Sequence, residues 1–212
     1  MKELIIRNKY FYFTVLLFVI IGGIILSFIS KETITIWVNS RWFQTLDKIV
    51  LLADNIGTVV FSVCAVLLIW ILKGWKIALK ASLCFFAVML VTQFGKHILY
   101  PGQPRPTLHF EEDILRLLDG VKQLSTESFP SGHTSASFAI ATFFALYFPF
   151  KKWHVLLALL ALFVGYGRIY LSQHFFTDVY AGMIVGVIVT TLVYYFYPKQ
   201  WEEDDSKSQK IH

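Results

Sequence analysis

Six long stretches without Asp, Glu, Lys or Arg dominate this chain: Tyr10–Ser30, Asn55–Leu72, Ala81–Gly95, Thr134–Phe150, Trp153–Gly167 and Val179–Pro198. They run for 21, 18, 15, 17, 15 and 20 residues. A helix of about 20 apolar residues crosses the hydrocarbon core of a bilayer. The two shortest runs end at Lys96 and Arg168, and a helix continues past such a charge when it faces the protein interior or a polar cavity. The pattern therefore predicts an all-α fold, a six-transmembrane helix bundle forming one domain over residues 1–200. The spans are expected near 10–30, 54–73, 77–99, 132–150, 153–172 and 178–198, followed by a polar tail over 201–212. The alternative for the first run is a signal peptide, but it is long for an apolar signal core and lacks a clear small-residue cleavage site.

Composition excludes two other classes. Hydrophobic residues make up 56% and charged ones 16%, against about 45–50% and about 25% in soluble domains, so neither a water-soluble globule nor a disordered chain fits. The net charge of +5 is scattered rather than gathered in a stripe, and no nucleic-acid partner is expected. Cys64 and Cys84 lie inside apolar runs and read as small core residues rather than a disulfide or metal pair. Of the 19 lysines and arginines, 11 fall on the side shared by both termini and eight on the other. By the positive-inside rule both termini are cytoplasmic. With no targeting sequence in this short chain, a bacterial plasma membrane is the expected location.

Two outer segments have an interfacial pattern, which adds short interfacial or amphipathic helices to the expected fold. Within the loop 100–129, Ile114, Leu117, Leu118 and Val121 recur at helical spacing, as in an amphipathic helix on the membrane surface, serving as a lid or a substrate gate. The stretch 34–51 carries Trp37, Trp42 and Phe43, an interfacial aromatic signature.

Three polar clusters share the outer side: Lys96 with Arg105-Pro106; Pro130-Ser131-Gly132-His133; and Arg168, His174 and Asp178. Any one lysine or arginine reads equally well as a snorkelling anchor, but the gathering of all three clusters on one face points to chemistry. His174 and Asp178 are four apart, so on a helix they share a face, and the carboxylate can fix one imidazole nitrogen and leave the other as a nucleophile. A capping Asp beside an interfacial histidine is the plainer reading. Ser131 and Gly132 open an apolar helix whose free N–H groups form an anion site, although Ser131 is also an ordinary N-cap. His133 in the first turn can donate a proton to a leaving oxygen. Lys96, Arg105 and Arg168 supply three cations, which suits phosphate. No acidic cluster fit for magnesium stands beside them. Glu111, Glu112 and Asp113 are explained by a helix N-terminal turn, with a metal role as the lesser alternative.

These motifs resemble the type 2 phosphatidic acid phosphatase superfamily, whose signature is KxxxxxxRP, PSGH and SRxxxxxHxxxD. PSGH is complete at Pro130 to His133, and Arg168, His174 and Asp178 keep the family spacing, with Gly167 in place of the usual Ser. Between Lys96 and Arg105 stand eight residues instead of six, and Pro101, Gly102 and Pro104 predict a bent connection that takes up the excess. The resemblance implies a metal-independent membrane enzyme, without cofactor, acting on lipid phosphates or lipid diphosphates. His174 would attack phosphorus, oriented by Asp178, and His133 would protonate the leaving alkoxide. Lys96, Arg105, Arg168 and the Ser131–Gly132 backbone would hold the phosphate. Six spans and short loops separate this chain from the soluble haloperoxidase branch. A lipid phosphotransferase and a non-hydrolytic transporter of anionic lipids are the alternatives. The expected partners are the bilayer and a membrane lipid phosphate, with no obligate protein partner. Gly182 and Gly186 serve either close packing inside the bundle or a dimer.

Overall fold

The structure is a computed structural model that describes residues 1–148 and 151–198. The expected polar tail over 201–212 and the lysines at 199, 207 and 210 lie outside the described residues. Among those described there are helices and no strands. In chain order they are α1 (Lys2–Arg7), α2 (Lys9–Phe28), α3 (Lys31–Asn39), α4 (Gln44–Asp54), α5 (Val59–Lys73), α6 (Trp75–Phe94), α7 (Pro106–His109), α8 (Gly132–Tyr147), α9 (His154–Tyr170) and α10 (Phe176–Phe196).

Four helical segments are long and apolar enough to cross a membrane: Lys9–Phe28, Trp75–Leu99, Lys151–Tyr170 and Phe176–Phe196. A fifth is formed if Gln44–Gly57 and Val59–Lys73 are counted as one span bent by 63°. The chain is thus a multi-pass membrane protein, with four to five such spans among the described residues. The remaining expected span, 132–150, is represented by α8, whose 16 residues give about 24 Å of helix at 1.5 Å per residue. Most of α8 is buried, because α6, α9 and α10 pack around it. Lipid-facing side chains such as Leu16, Ile20 and Ile24 of α2 and Val60, Val63 and Ile71 of α5 are exposed, the inverse of a soluble protein and suited to a hydrocarbon solvent.

With lipid as apolar as the side chains, helices associate through close packing and interhelical hydrogen bonds. Gly182 and Gly186 meet α8 so closely that a Cβ at either would lie 2.7 Å from the Ser131 carbonyl oxygen or 2.5 Å from that of Ser135. Of the two uses open in the sequence, these glycines are taken up by packing inside the bundle. The Tyr180 hydroxyl donates to the Val19 carbonyl at 3.0 Å, and the hydroxyls of Tyr12 and Thr191 share a 2.8 Å bond, tying α10 to α2. Arg7 reaches the Leu146 carbonyl at 3.2 Å, and Tyr197 reaches that of Lys76. The starts of α2 and α6 and the ends of α8 and α10 therefore share one end of the bundle. The three polar clusters lie at the other.

The outer segments differ from expectation in one respect. The aromatic stretch 34–51 is helical in α3 and α4, with Trp42 and Phe43 in the short link between them. The amphipathic helix expected around Ile114 to Val121 does not form, and neither does the N-terminal turn assigned to Glu111, Glu112 and Asp113. Asp113 and Gly120 have φ of 71° and 79°, which a right-handed helix does not accommodate. The Asn39 side chain takes both backbone groups of Arg116: its Nδ2 donates to the Arg116 carbonyl at 2.9 Å and its Oδ1 accepts the Arg116 N–H at 2.8 Å. Leu118 and Val121 pack on the cluster of Val38, Val50 and Ile169, whereas Ile114 and Leu117 are exposed, so the four periodic residues do not share one buried face.

Candidate active site

Three breaks in helical structure build the site. The first is at the end of α6, where Tyr100 N–H donates to Gly95 O at 2.9 Å across a π turn (Gly95–Leu99). This wide turn and the bend at Pro101-Gly102, where Gly102 has a φ of 72°, absorb the two extra residues between Lys96 and Arg105. Both cations line one cavity and both donate to the carbonyl of Glu127. Arg105 also donates from Nε to the Thr126 carbonyl at 2.8 Å and from Nη1 to that of Gln173 at 2.8 Å. One side chain thus joins the outer loop to the turn that carries His174.

The second break is the turn after α9. The Gln173 N–H bonds back to Arg168 O at 2.9 Å and Ser172 has a φ of 57°, the Schellman arrangement with serine in the place usual for glycine. Asn39 Nδ2 donates to the Tyr170 carbonyl and the Ser172 hydroxyl at 3.2 and 3.0 Å. The turn stands before α10, so His174 and Asp178 are not on one helix as their spacing predicted, yet they meet. His174 Nδ1 is 3.4 Å from Asp178 Oδ2. Asp178, in the first turn of α10, accepts the Phe175 N–H at 2.9 Å and the Ser128 hydroxyl at 2.5 Å. It therefore serves as helix cap and histidine partner at once. Arg105 Nη1 lies 3.3 Å from His174 Nε2. A proton on Nδ1, shared toward the carboxylate, leaves the Nε2 lone pair facing the arginine and the cavity. Burial, together with the Arg168 and Arg105 cations, outweighs Asp178 and holds His174 down to about 3, so the ring is neutral at physiological pH. Burial and Arg168 lower Arg105 to about 10, which leaves it charged.

The third break is the start of α8. Gly132 lines the cavity, and a Cβ there would meet nothing within 4 Å, so an anion can approach the helix start closely. Ser131 departs from expectation. Its N–H donates to the Asp178 carbonyl at 3.0 Å and its hydroxyl accepts the Thr134 N–H at 3.4 Å. It is fully buried and does not line the cavity. Its role in the structure is to cap α8 and pin it to α10, and its backbone donor is not presented to a ligand. His133 lines the cavity beside Arg168 and His174.

Four participants were invisible in the motif pattern: Asp54, Ser128, Gln173 and Glu127. Asp54 Oδ1 accepts from Arg168 Nη1 at 2.6 Å, and Gln173 Oε1 accepts from Arg168 Nη2 at 3.4 Å. Arg168 Nε is buried without a partner among the described residues, a donor that an anion could satisfy. The Phe129–Pro130 bond is cis. The exposed acids Glu111, Glu112 and Asp113 lie off the cavity lining. The cavity, about 610 Å³, runs from these polar groups down between α5, α6 and α8, along apolar walls that include Val66, Phe85, Met89 and Ala136.

The family model described as the PAP2 superfamily matches residues 77–202, more than half of the chain and all three polar clusters. The chain belongs to the PAP2 superfamily. Among its PAP2 relatives is the probable lipid phosphate phosphatase 4 of Arabidopsis thaliana, 38% identical over 133 residues that cover 49% of this chain and 42% of the relative. Another is phosphatidylglycerophosphatase B of Bacillus subtilis, 36% identical over 78 residues, covering 32% and 38%. The chain matches less than half the length of either. Among solved structures, Aquifex aeolicus LpxE superposes with a TM-score of 0.68 at 25% identity, covering 77% of this chain and 93% of that one.

Proposed function

We propose that this PAP2 protein hydrolyses the phosphate of a membrane lipid phosphate monoester or lipid diphosphate through a phosphohistidine on His174. The observation that carries the reading is the placement of His174 Nε2. The nitrogen is neutral, backed through Nδ1 by Asp178, next to Arg105, and at the polar end of an apolar cavity between helices. Nε2 attacks phosphorus while the bond to the lipid oxygen breaks, and His133 gives its proton to that oxygen. Water then attacks the phosphohistidine as His133 takes back a proton, the P–N bond breaks, and inorganic phosphate leaves. Lys96, Arg105, Arg168 and the Gly132 end of α8 offset the charge that grows on the phosphoryl oxygens.

The apolar walls of the cavity support a lipid as the substrate. An acyl or prenyl chain gains about 0.8 kcal/mol per buried methylene, so the lipid stays in the leaflet and enters between helices with its phosphate at interface depth. In this reading α8 and the bent α4–α5 unit complete six spans. The 11-to-eight split of basic residues supports cytoplasmic termini, a site on the outer face and a plasma-membrane location. Phosphatidate, phosphatidylglycerol phosphate and undecaprenyl diphosphate are the candidate substrates. The named relatives, a lipid phosphate phosphatase and a phosphatidylglycerophosphatase, support the monoester members of that range.

The purified protein in detergent micelles with a chelator should release phosphate from at least one of these lipids. His174→Ala should lose about a thousandfold or more in kcat. Full activity in His174→Ala would overturn the mechanism.

A further inference from the structure

Asp54 is a carboxylate hydrogen-bonded to Arg168 beside a cationic cavity, a position that weakens anion binding unless it does something else there. It ends α4, at the bend before α5, where Gly57 packs so tightly on α8 that a Cβ would lie 2.6 Å from the His133 Cβ. The break in the second span is therefore seated on His133. One Asp54 oxygen accepts from Arg168 Nη1 at 2.6 Å and the other lies 3.8 Å from His133 Nε2, with both side chains partly shielded, at 30% and 23% exposure.

For His133 to act as the acid, it must carry a proton while Lys96, Arg105 and Arg168 all face it. Like charges disfavour an imidazolium and an opposite charge within about 4–6 Å favours it. Among the described residues, Asp54 is the carboxylate that faces His133 within 4 Å. The same carboxylate holds Arg168 by one nitrogen and leaves its Nε and the Nη2 edge toward Gln173.

We propose that Asp54 is a positioning residue: its carboxylate stabilises the charged form of His133 against the three cations while the proton is handed over, aims His133 at the leaving oxygen, and fixes the direction of Arg168. This rests on the lipid phosphatase reading, in which His133 protonates a departing alkoxide. No bond to Asp54 forms or breaks during turnover; the proton delivered to the alkoxide is that of His133.

The decisive variable is how much the leaving group needs a proton. Two substrates serve: a lipid phosphate, whose alkoxide needs protonation, and p-nitrophenyl phosphate, whose phenolate does not. The value of kcat/KM reports P–O cleavage for both. Asp54→Asn should lower it about 10- to 100-fold for the lipid phosphate, within the range of general acid contributions, and about tenfold less for the nitrophenyl ester. Asp54→Glu should restore the wild-type ratio between the two substrates to within about threefold, since the charge is what counts. Equal losses on both substrates, or none on either, would overturn the proposal. His174→Ala run alongside separates the two levels. If it keeps activity, the phosphatase mechanism itself is wrong, whereas if it is dead and the Asp54→Asn ratio is unchanged, only the role of Asp54 is wrong. Elution of Asp54→Asn at the wild-type position in size exclusion shows that the loss is not misfolding.

Discussion

Replacing Gly182 by alanine tests whether the two halves of the site are held together by helix packing. A Cβ at Gly182 would lie 2.7 Å from the Ser131 carbonyl, 3.1 Å from Thr134 Cβ and 3.3 Å from Ser135 Oγ. The first of these is a helix-start backbone atom that cannot swing aside. Ordinary contact begins near 3.4 Å, so the helices must part by a little under 1 Å, and overpacking of this kind costs about 1–3 kcal/mol. At about 2–4 °C per kcal/mol for a chain of this size, melting in detergent should fall by several degrees. The separation also acts one turn from Asp178, where Ser131 N–H meets the Asp178 carbonyl at 3.0 Å. A misplacement of about 1 Å of catalytic groups costs about 100-fold, so kcat for phosphate release should fall by one to two orders of magnitude. Gly186 lies a turn deeper against Ser135 and Phe138, so Gly186→Ala should lose similar stability and less activity. Wild-type melting and kcat in Gly182→Ala would refute the packing argument. So would loss of cross-linked dimer with no loss of kcat, which would assign the glycines to an interface between chains.

Two further outcomes follow from the histidine. Ser128→Ala removes a hydrogen bond to the buried Asp178 carboxylate, and bonds to charged groups contribute about 1.5–3 kcal/mol; single-turnover phosphate release should slow about tenfold, and an unchanged rate would show that the bond does not help orient Asp178. Because His174 is held far below its ordinary value, to about 3, the unfolded chain binds a proton between pH 6.5 and 3 that the folded chain refuses. Stability is then full above about pH 6.5 and falls as pH drops toward 3. Thermal melts from pH 7 to 4 should show a shallower decline in His174→Gln than in wild type, and parallel curves would contradict this.

What could be read without a structure was what local spacing encodes. The apolar runs fixed an all-helical membrane protein, because each backbone must satisfy itself in lipid. The PSGH run and the Arg168, His174 and Asp178 series pointed to the candidate site because their members are close in sequence and share a turn or a helix start. Asn39, Asp47 and Arg116 carried no such mark, although Arg116 grips Asp47 with both guanidinium nitrogens and Tyr170 donates to the same carboxylate. Asp54 and Ser128 were silent for the same reason: their partners stand 114 and 50 positions away.

The differences between expectation and structure have the same origin. Helical spacing at Ile114 to Val121 was real, but Asn39 took the Arg116 backbone and α3 and α4 took Leu118 and Val121. Ser131 at a helix start looked like a phosphate donor until the Asp178 carbonyl claimed its N–H. The sequence alone determined the solvent of this protein, its helices and the chemical types gathered at one end of them. Tertiary structure decided which donors stay open, which nitrogen of His174 meets the cavity, and that a carboxylate from the bent second span stands against His133, because each of these depends on contacts between helices that lipid does not favour and only close packing and hydrogen bonds can specify.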